Sequence, residues 1–128
     1  MDSNAGKKGA RPRTDKVVQD WSTSCTAEIT VAILGGAWKP TILHELEQHA
    51  VLRFGELSRM VGGPSPRVLT KQLRELEHDG LISRTVYPEV PPRVEYQLTD
   101  VGKSAQTLLQ SMTDWGRQYS QWHTSRET

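Results

Sequence analysis

The chain has 128 residues, 16 Lys and Arg against 15 Asp and Glu for a formal net charge of +1, and 35% hydrophobic side chains. That length suits one compact domain of roughly 100–150 residues, and no apolar run approaches the ~20 residues of a membrane span. The polar, basic beginning offers no apolar stretch for a secretory signal, so a cytosolic protein is expected. Its one cysteine, Cys25, excludes an intrachain disulfide framework and any zinc site built on paired cysteines.

Residues 1–16 carry Lys7, Lys8, Arg11, Arg13 and Lys16 against Asp2 and Asp15, with almost nothing apolar, the composition of a solvated basic tail. The folded domain is expected over 17–124, beginning where Val17, Val18 and Trp21 recur at helical spacing, with 125–128 a short second tail. Cys25 to Leu34 reads as a helix, preceded by the natural caps Ser22, Thr23 and Ser24 and stopped by Gly35 and Gly36. Trp38 to Glu47 restarts as a second helix with Trp38, Ile42, Leu43 and Leu46 on one face. Phe54 to Val61 repeats the pattern, and Gly62-Gly63-Pro64 breaks it abruptly. Ser65 then caps a fourth helix, with Pro66 in the first helical position, where its missing N–H costs nothing; Gly80 ends it.

Beyond Gly80 the apolar period switches from helical to two. Leu81–Tyr87 and Arg93–Leu98 alternate as strands, joined by the proline-stiffened PEVPP, and form a β-hairpin. Thr99 caps a last helix, from Asp100 to about His123, whose apolar band includes Leu108, Leu109, Met112, Trp115, Tyr119 and Trp122. So little domain remains for that band to cover that part of it is read as a subunit interface. The fold class is mainly α with a small β-hairpin: short helices meeting across a Gly-containing turn, then a two-stranded wing, describe a winged helix-turn-helix.

The fourth helix divides cleanly. With Leu69 at the centre of its buried face, Leu73 and Leu76 fall within roughly 40° at about 100° per residue. Arg67, Lys71, Arg74 and His78 then lie opposite, with Thr70 on their flank and Ser65 at the head of the helix. Side chains of these types near a helix N-terminus are the ones that read base edges and phosphates in a major groove. Any solvated helix also shows charges opposite its leucines, so the hairpin matters: Arg93 beside PEVPP stands where a wing would reach a phosphate or the adjacent minor groove. The near-zero total charge conceals this placement. Residues 53–84 hold Arg53, Arg59, Arg67, Lys71, Arg74 and Arg84, whereas 17–52 hold Lys39 alone against Asp20, Glu28, Glu45 and Glu47.

An enzyme is disfavoured. The chain has no Gly-rich phosphate loop and no zinc signature, and His44 and His49 stand about 140° apart on a helix instead of sharing a ligating face. No catalytic residue, metal or cofactor is expected. Two other readings stay open: a winged-helix module that binds protein instead of DNA, and a regulator switched by a non-covalent small ligand held near Trp21, Trp38 or Trp115, residues otherwise read as core and interface.

The runs CTAEITVAILGGAWKPTILHEL, RFGELSRMV, LTKQLRELEHDGLISRTVYPEVPPRVEYQLTDVG and the later DWG resemble the HxlR-type winged helix-turn-helix regulators of bacteria, relatives of the MarR group. The resemblance spans roughly residues 21–116, with GGAWKPTIL and YPEVPPRVEYQLT its most specific segments. It implies a homodimeric transcription factor, dimerised through its terminal helices, that binds a palindromic operator in double-stranded DNA. Carried onto this chain, the recognition helix is 65–78 and the wing 87–93. The DNA-binding set is then Ser65, Arg67, Thr70, Lys71, Arg74 and Arg93.

In several regulators of this type a cysteine at the place of Cys25 senses oxidants, quinones or aldehydes. A thiol at a helix N-terminus faces unpaired N–H groups and the positive end of the helix dipole, both of which favour the reactive thiolate. Where many relatives have proline next, this chain has Thr26. The competing reading of Cys25 is a small buried side chain.

Overall fold

The computed structural model describes residues 26–127. Within them the order is α1 (Thr26–Leu34), α2 (Lys39–Gln48), β1 (Leu52–Arg53), α3 (Phe54–Val61), α4 (Pro66–His78), β2 (Ile82–Tyr87), β3 (Arg93–Leu98), α5 (Asp100–Ser104) and α6 (Gln106–Arg126). The expected start at Val17, the caps Ser22 to Ser24 and Cys25 lie outside the described residues.

Local chemistry sets the boundaries of the central helices. The Arg53 backbone N–H donates to Glu56 Oε1 at 2.8 Å across the first turn of α3, satisfying a donor the helix cannot pair itself. Gly62 closes α3 at φ 81°, a left-handed conformation that costs glycine little. Ser65 Oγ accepts from the Val68 N–H at 3.2 Å, and Pro66 fills the first position of α4 as its sequence requires.

The wing hairpin pairs β2 with β3 antiparallel, from Ile82 opposite Leu98 to Tyr87 opposite Arg93. A third strand, β1, joins β3 through Leu52 opposite Tyr96 and Arg53 opposite Glu95, giving the order β1-β3-β2. Two residues are too few to display a period of two, so the hydrophobic pattern predicts only the hairpin. Pairing β1 to the inner edge of the wing ties the sheet to the helix that immediately follows it, α3.

One core runs through the domain. Ile42, Leu43 and Leu46 of α2, Leu57 of α3, and Leu69, Leu73 and Leu76 of α4 are all buried and meet Leu81, Ile82 and Leu98 beneath the sheet. Tyr96 joins them from β3, and its burial pushes the phenol above its ordinary range despite the lowering influence of Arg84, so it packs as a neutral ring.

The last helix differs from its expected course. It is two elements, with Ala105 between them donating its N–H to the carbonyls of Gly102 and Lys103. Thr99 caps α5 by accepting from the Gly102 N–H at 3.1 Å, and Gly102 packs so closely on Leu81 that a Cβ there would overlap the Leu81 carbonyl. That contact fixes α5 against the wing, and α6 leaves from the next turn. At its far end α6 continues past His123 to Arg126, supported by the His123–Glu127 pair at 3.3 Å and by the Arg126 guanidinium 4.6 Å from the Trp122 ring centroid.

Candidate nucleic-acid interface

Helices α3 and α4 meet across Gly62-Gly63-Pro64, and the turn is held from behind. The six-membered ring of Trp38 lies where a Cβ on Gly63 would be, so only glycine lets the turn close on the indole. With the three leucines of α4 buried, the orientation of the helix about its own axis is set, and its opposite side faces away from the domain.

That side carries Arg67, Lys71 and Arg74, all exposed, with Thr70 half-buried beside them. Together with Pro66 and Glu75 these residues line one open depression. Among the described residues, Arg67, Lys71 and Arg74 make no ion pair. The two carboxylates of the helix have partners within the domain: Glu75 with Lys39 Nζ at 2.7 Å, and Glu77 with Arg84 at 3.4 Å. The outward face is therefore positive, although α4 and the residues around it carry both signs. His78, placed on the same stripe by helical spacing, is half-buried where the chain turns toward Gly80, so the open basic face ends at Arg74.

Ser65 stands at the head of this face, its hydroxyl occupied as a cap, and acts on the site through the helix it starts. Arg93 lies at the base of the wing tip. Its guanidinium pairs with Glu89 at 3.1 Å and Glu95 at 3.4 Å and sits 4.0 Å from the Tyr87 ring centroid, a clamp across the hairpin. Beyond the clamp the tip presents fully exposed Val90, followed by Pro91 and Pro92.

Lys39 escapes sequence reasoning. A lysine between a tryptophan and a proline at a helix start looks like a surface residue, yet it is 1% exposed, and its partner lies on another helix far along the chain. No local pattern encodes such a pair. Among the described residues there is no group of three or more His, Cys, Asp and Glu able to hold a metal ion, and no helix long and apolar enough to cross a membrane.

A helix-turn-helix with a leucine-anchored, basic second helix and a two-stranded wing defines a DNA-binding transcriptional regulator of the winged-helix class. Comparison with known proteins places it more closely. The HxlR-like helix-turn-helix family matches residues 33–124, and the chain belongs to that family. An HTH-type transcriptional regulator of Methanothermobacter thermautotrophicus is 48% identical over 95 residues, 74% of this chain and 72% of its own length. The redox regulator HypR in its reduced form superposes with a TM-score of 0.73 at 37% identity, covering 79% of this chain and 99% of that one. Diamide-treated YodB of B. subtilis superposes with a TM-score of 0.63 at 33% identity, covering 76% and 96%. These relatives are regulators, and no enzyme family is indicated.

Proposed function

We propose that the protein acts as a homodimer on a palindromic operator, with α4 of each protomer in a major groove and the wing 87–93 against the backbone or the adjacent minor groove. The observation that carries this reading is the uncancelled basic face of α4, where Arg67, Lys71 and Arg74 stand clear while the helix's own carboxylates are held by partners. Arg67, Lys71 and Arg74 supply phosphate and base-edge contacts, and Thr70 lines the same face. Ser65 holds the helix start against the DNA, and Arg93 stiffens the wing that approaches the groove. Two-fold symmetry sets the half-sites about 10 bp apart or a multiple of that. Dimerisation is supported by α6, whose Trp115, Tyr119 and Trp122 line one exposed face, Trp115 stacked on Tyr119 at a centroid separation of 5.4 Å and Trp122 tilted against Tyr119 at 5.3 Å.

Fluorescence anisotropy with a promoter fragment tests the reading. Arg67→Ala/Lys71→Ala is expected to weaken binding and to reduce its salt dependence by about one unit of slope for each phosphate no longer neutralised. Salt-independent binding, or an unchanged affinity in the double variant, leaves the protein-binding winged-helix reading in its place.

Switching through Cys25 is the second element, favoured by the likeness to HypR, a redox regulator, and to diamide-treated YodB. With one cysteine per chain, oxidation joins Cys25 to the same residue of a second copy or to a small thiol, each sulfur giving up one electron and its proton to the oxidant. A quinone instead adds the thiolate directly. Diamide or quinone treatment is expected to change operator affinity in the wild type and not in Cys25→Ser, with the adduct seen by mass spectrometry. Equal affinity before and after treatment in both proteins removes the switch.

A further inference from the structure

Lys39 stands at the first turn of α2, 1% exposed, with Nζ 2.7 Å from Glu75 Oε1, and the Glu75 side chain is itself only 17% exposed. Removing an ammonium and a carboxylate from water costs about as much as their attraction returns, and apolar residues of similar volume often serve stability as well or better. Stability alone is thus a weak reason for the pair. The position of Glu75 supplies another. It follows Lys71 by one helical turn, the i,i+4 spacing at which a lysine and a carboxylate ordinarily meet on a helix surface, and it lines the same depression as Arg67, Lys71 and Arg74. Yet Lys71 makes no ion pair among the described residues, and Glu75 is directed inward to Lys39. Gly36 leaves room for this arrangement: a Cβ there would stand 3.2 Å from Lys39 Cδ and 2.6 Å from Gln72 Oε1.

We propose that Lys39 is a positioning residue for DNA binding: by holding the Glu75 carboxylate inside the domain it prevents Glu75 from capturing Lys71, so that α4 meets phosphate with its basic face uncancelled. The inference rests on the reading of α4 as the DNA-facing helix. It assigns a role in binding to a residue that does not touch DNA, and it explains why a charged pair is kept where apolar side chains would pack.

The test is the salt dependence of binding of the full chain to a short random-sequence DNA duplex, for which phosphate contacts dominate. Lys39→Met is expected to lose about one unit of slope per protomer, with affinity severalfold weaker, because the released Glu75 pairs with Lys71. Lys39→Met/Lys71→Ala should lose no further slope, and Lys39→Met/Glu75→Gln should return to the wild-type slope. A purely structural role for Lys39 moves stability without this pattern. A cooperatively folded Lys39→Met with the wild-type slope overturns the proposal. Should Lys39→Met not fold, Lys39→Gln, which removes the same charge with a polar side chain of similar length, is read in its place: a slope lower by about one unit per protomer that Glu75→Gln restores supports the proposal, and the wild-type slope overturns it. Absence of wild-type binding at low salt removes the DNA-facing reading together with this inference, whereas wild-type binding with an unaltered Lys39→Met slope removes the inference alone.

Discussion

Helices α4 and α6 both carry an apolar stripe, and the protein treats the two stripes oppositely. The leucines of α4 are closed within the chain, with Leu69, Leu73 and Leu76 under the sheet and against α2 and α3. Along α6 only Leu109 is buried, while Trp115 is 64% exposed and Met112, Tyr119 and Trp122 stand out beside it. Aliphatic residues at a narrow spacing fit a small domain's interior; the aromatic face of α6 extends past the last of the described elements it can pack on and stays open. Each helix therefore turns a different side outward, α4 its charges and α6 its rings, and the two surfaces suit different partners.

The contrast is sharpest where the outward rings of α6 are removed. Trp115→Ser/Tyr119→Ser/Trp122→Ser is expected to weaken self-association about a thousandfold or more, since buried interface aromatics each carry on the order of 2 kcal/mol, while the monomer stays folded. Sedimentation velocity checks this, and an unchanged dimer assigns the interface elsewhere. On α4 the inward side is the sensitive one. Leu73→Ala should cost about 2–5 kcal/mol in urea unfolding, through the apolar volume removed from the core and the cavity left behind. Val68→Ala, on the exposed side of the same helix, should stay within about 0.5 kcal/mol. A smaller effect than that of Leu73→Ala belongs to the junction between the two regions. Thr99→Ala removes the hydroxyl that caps α5 and bonds the Gly80 carbonyl, and should cost about 1 kcal/mol by thermal denaturation. A much larger loss would show that α5 governs how α6 is held on the domain.

Much of this organisation is legible in local pattern. Ser65-Pro66, Gly62 and Gly80 mark the ends of α3 and α4 because caps and left-handed turns demand particular residue types, and the structure places each in that role. The leucine spacing of α4 assigns its inward face, and with it the outward positions of Arg67, Lys71 and Arg74. Features lacking a local signal are not recovered. Strand β1 is two residues long and exists through its pairing with β3; the break at Ala105 comes just after Gly102 packs on Leu81, a contact between residues far apart along the chain. His78 lies on the basic stripe by spacing and is half-buried by the turn after it. Arg93 reads as a free cation, and only the folded hairpin brings Glu89, Glu95 and Tyr87 around it.

By itself, the order of residues determined the succession of the central helices, the wing, the leucine-anchored face of α4 and the family to which the chain belongs, because periodicity, caps and turns act over a few neighbouring positions. Which charges remain available was decided by tertiary structure alone. Lys39 with Glu75, Arg84 with Glu77, and Arg93 with Glu89 and Glu95 are pairings made in the folded domain, and among the described residues they leave the outward basic side chains of α4 without a carboxylate partner. Electrostatic interaction depends on distance and burial in space, and side chains on different elements, such as Lys39 and Glu75, acquire both only when the core closes.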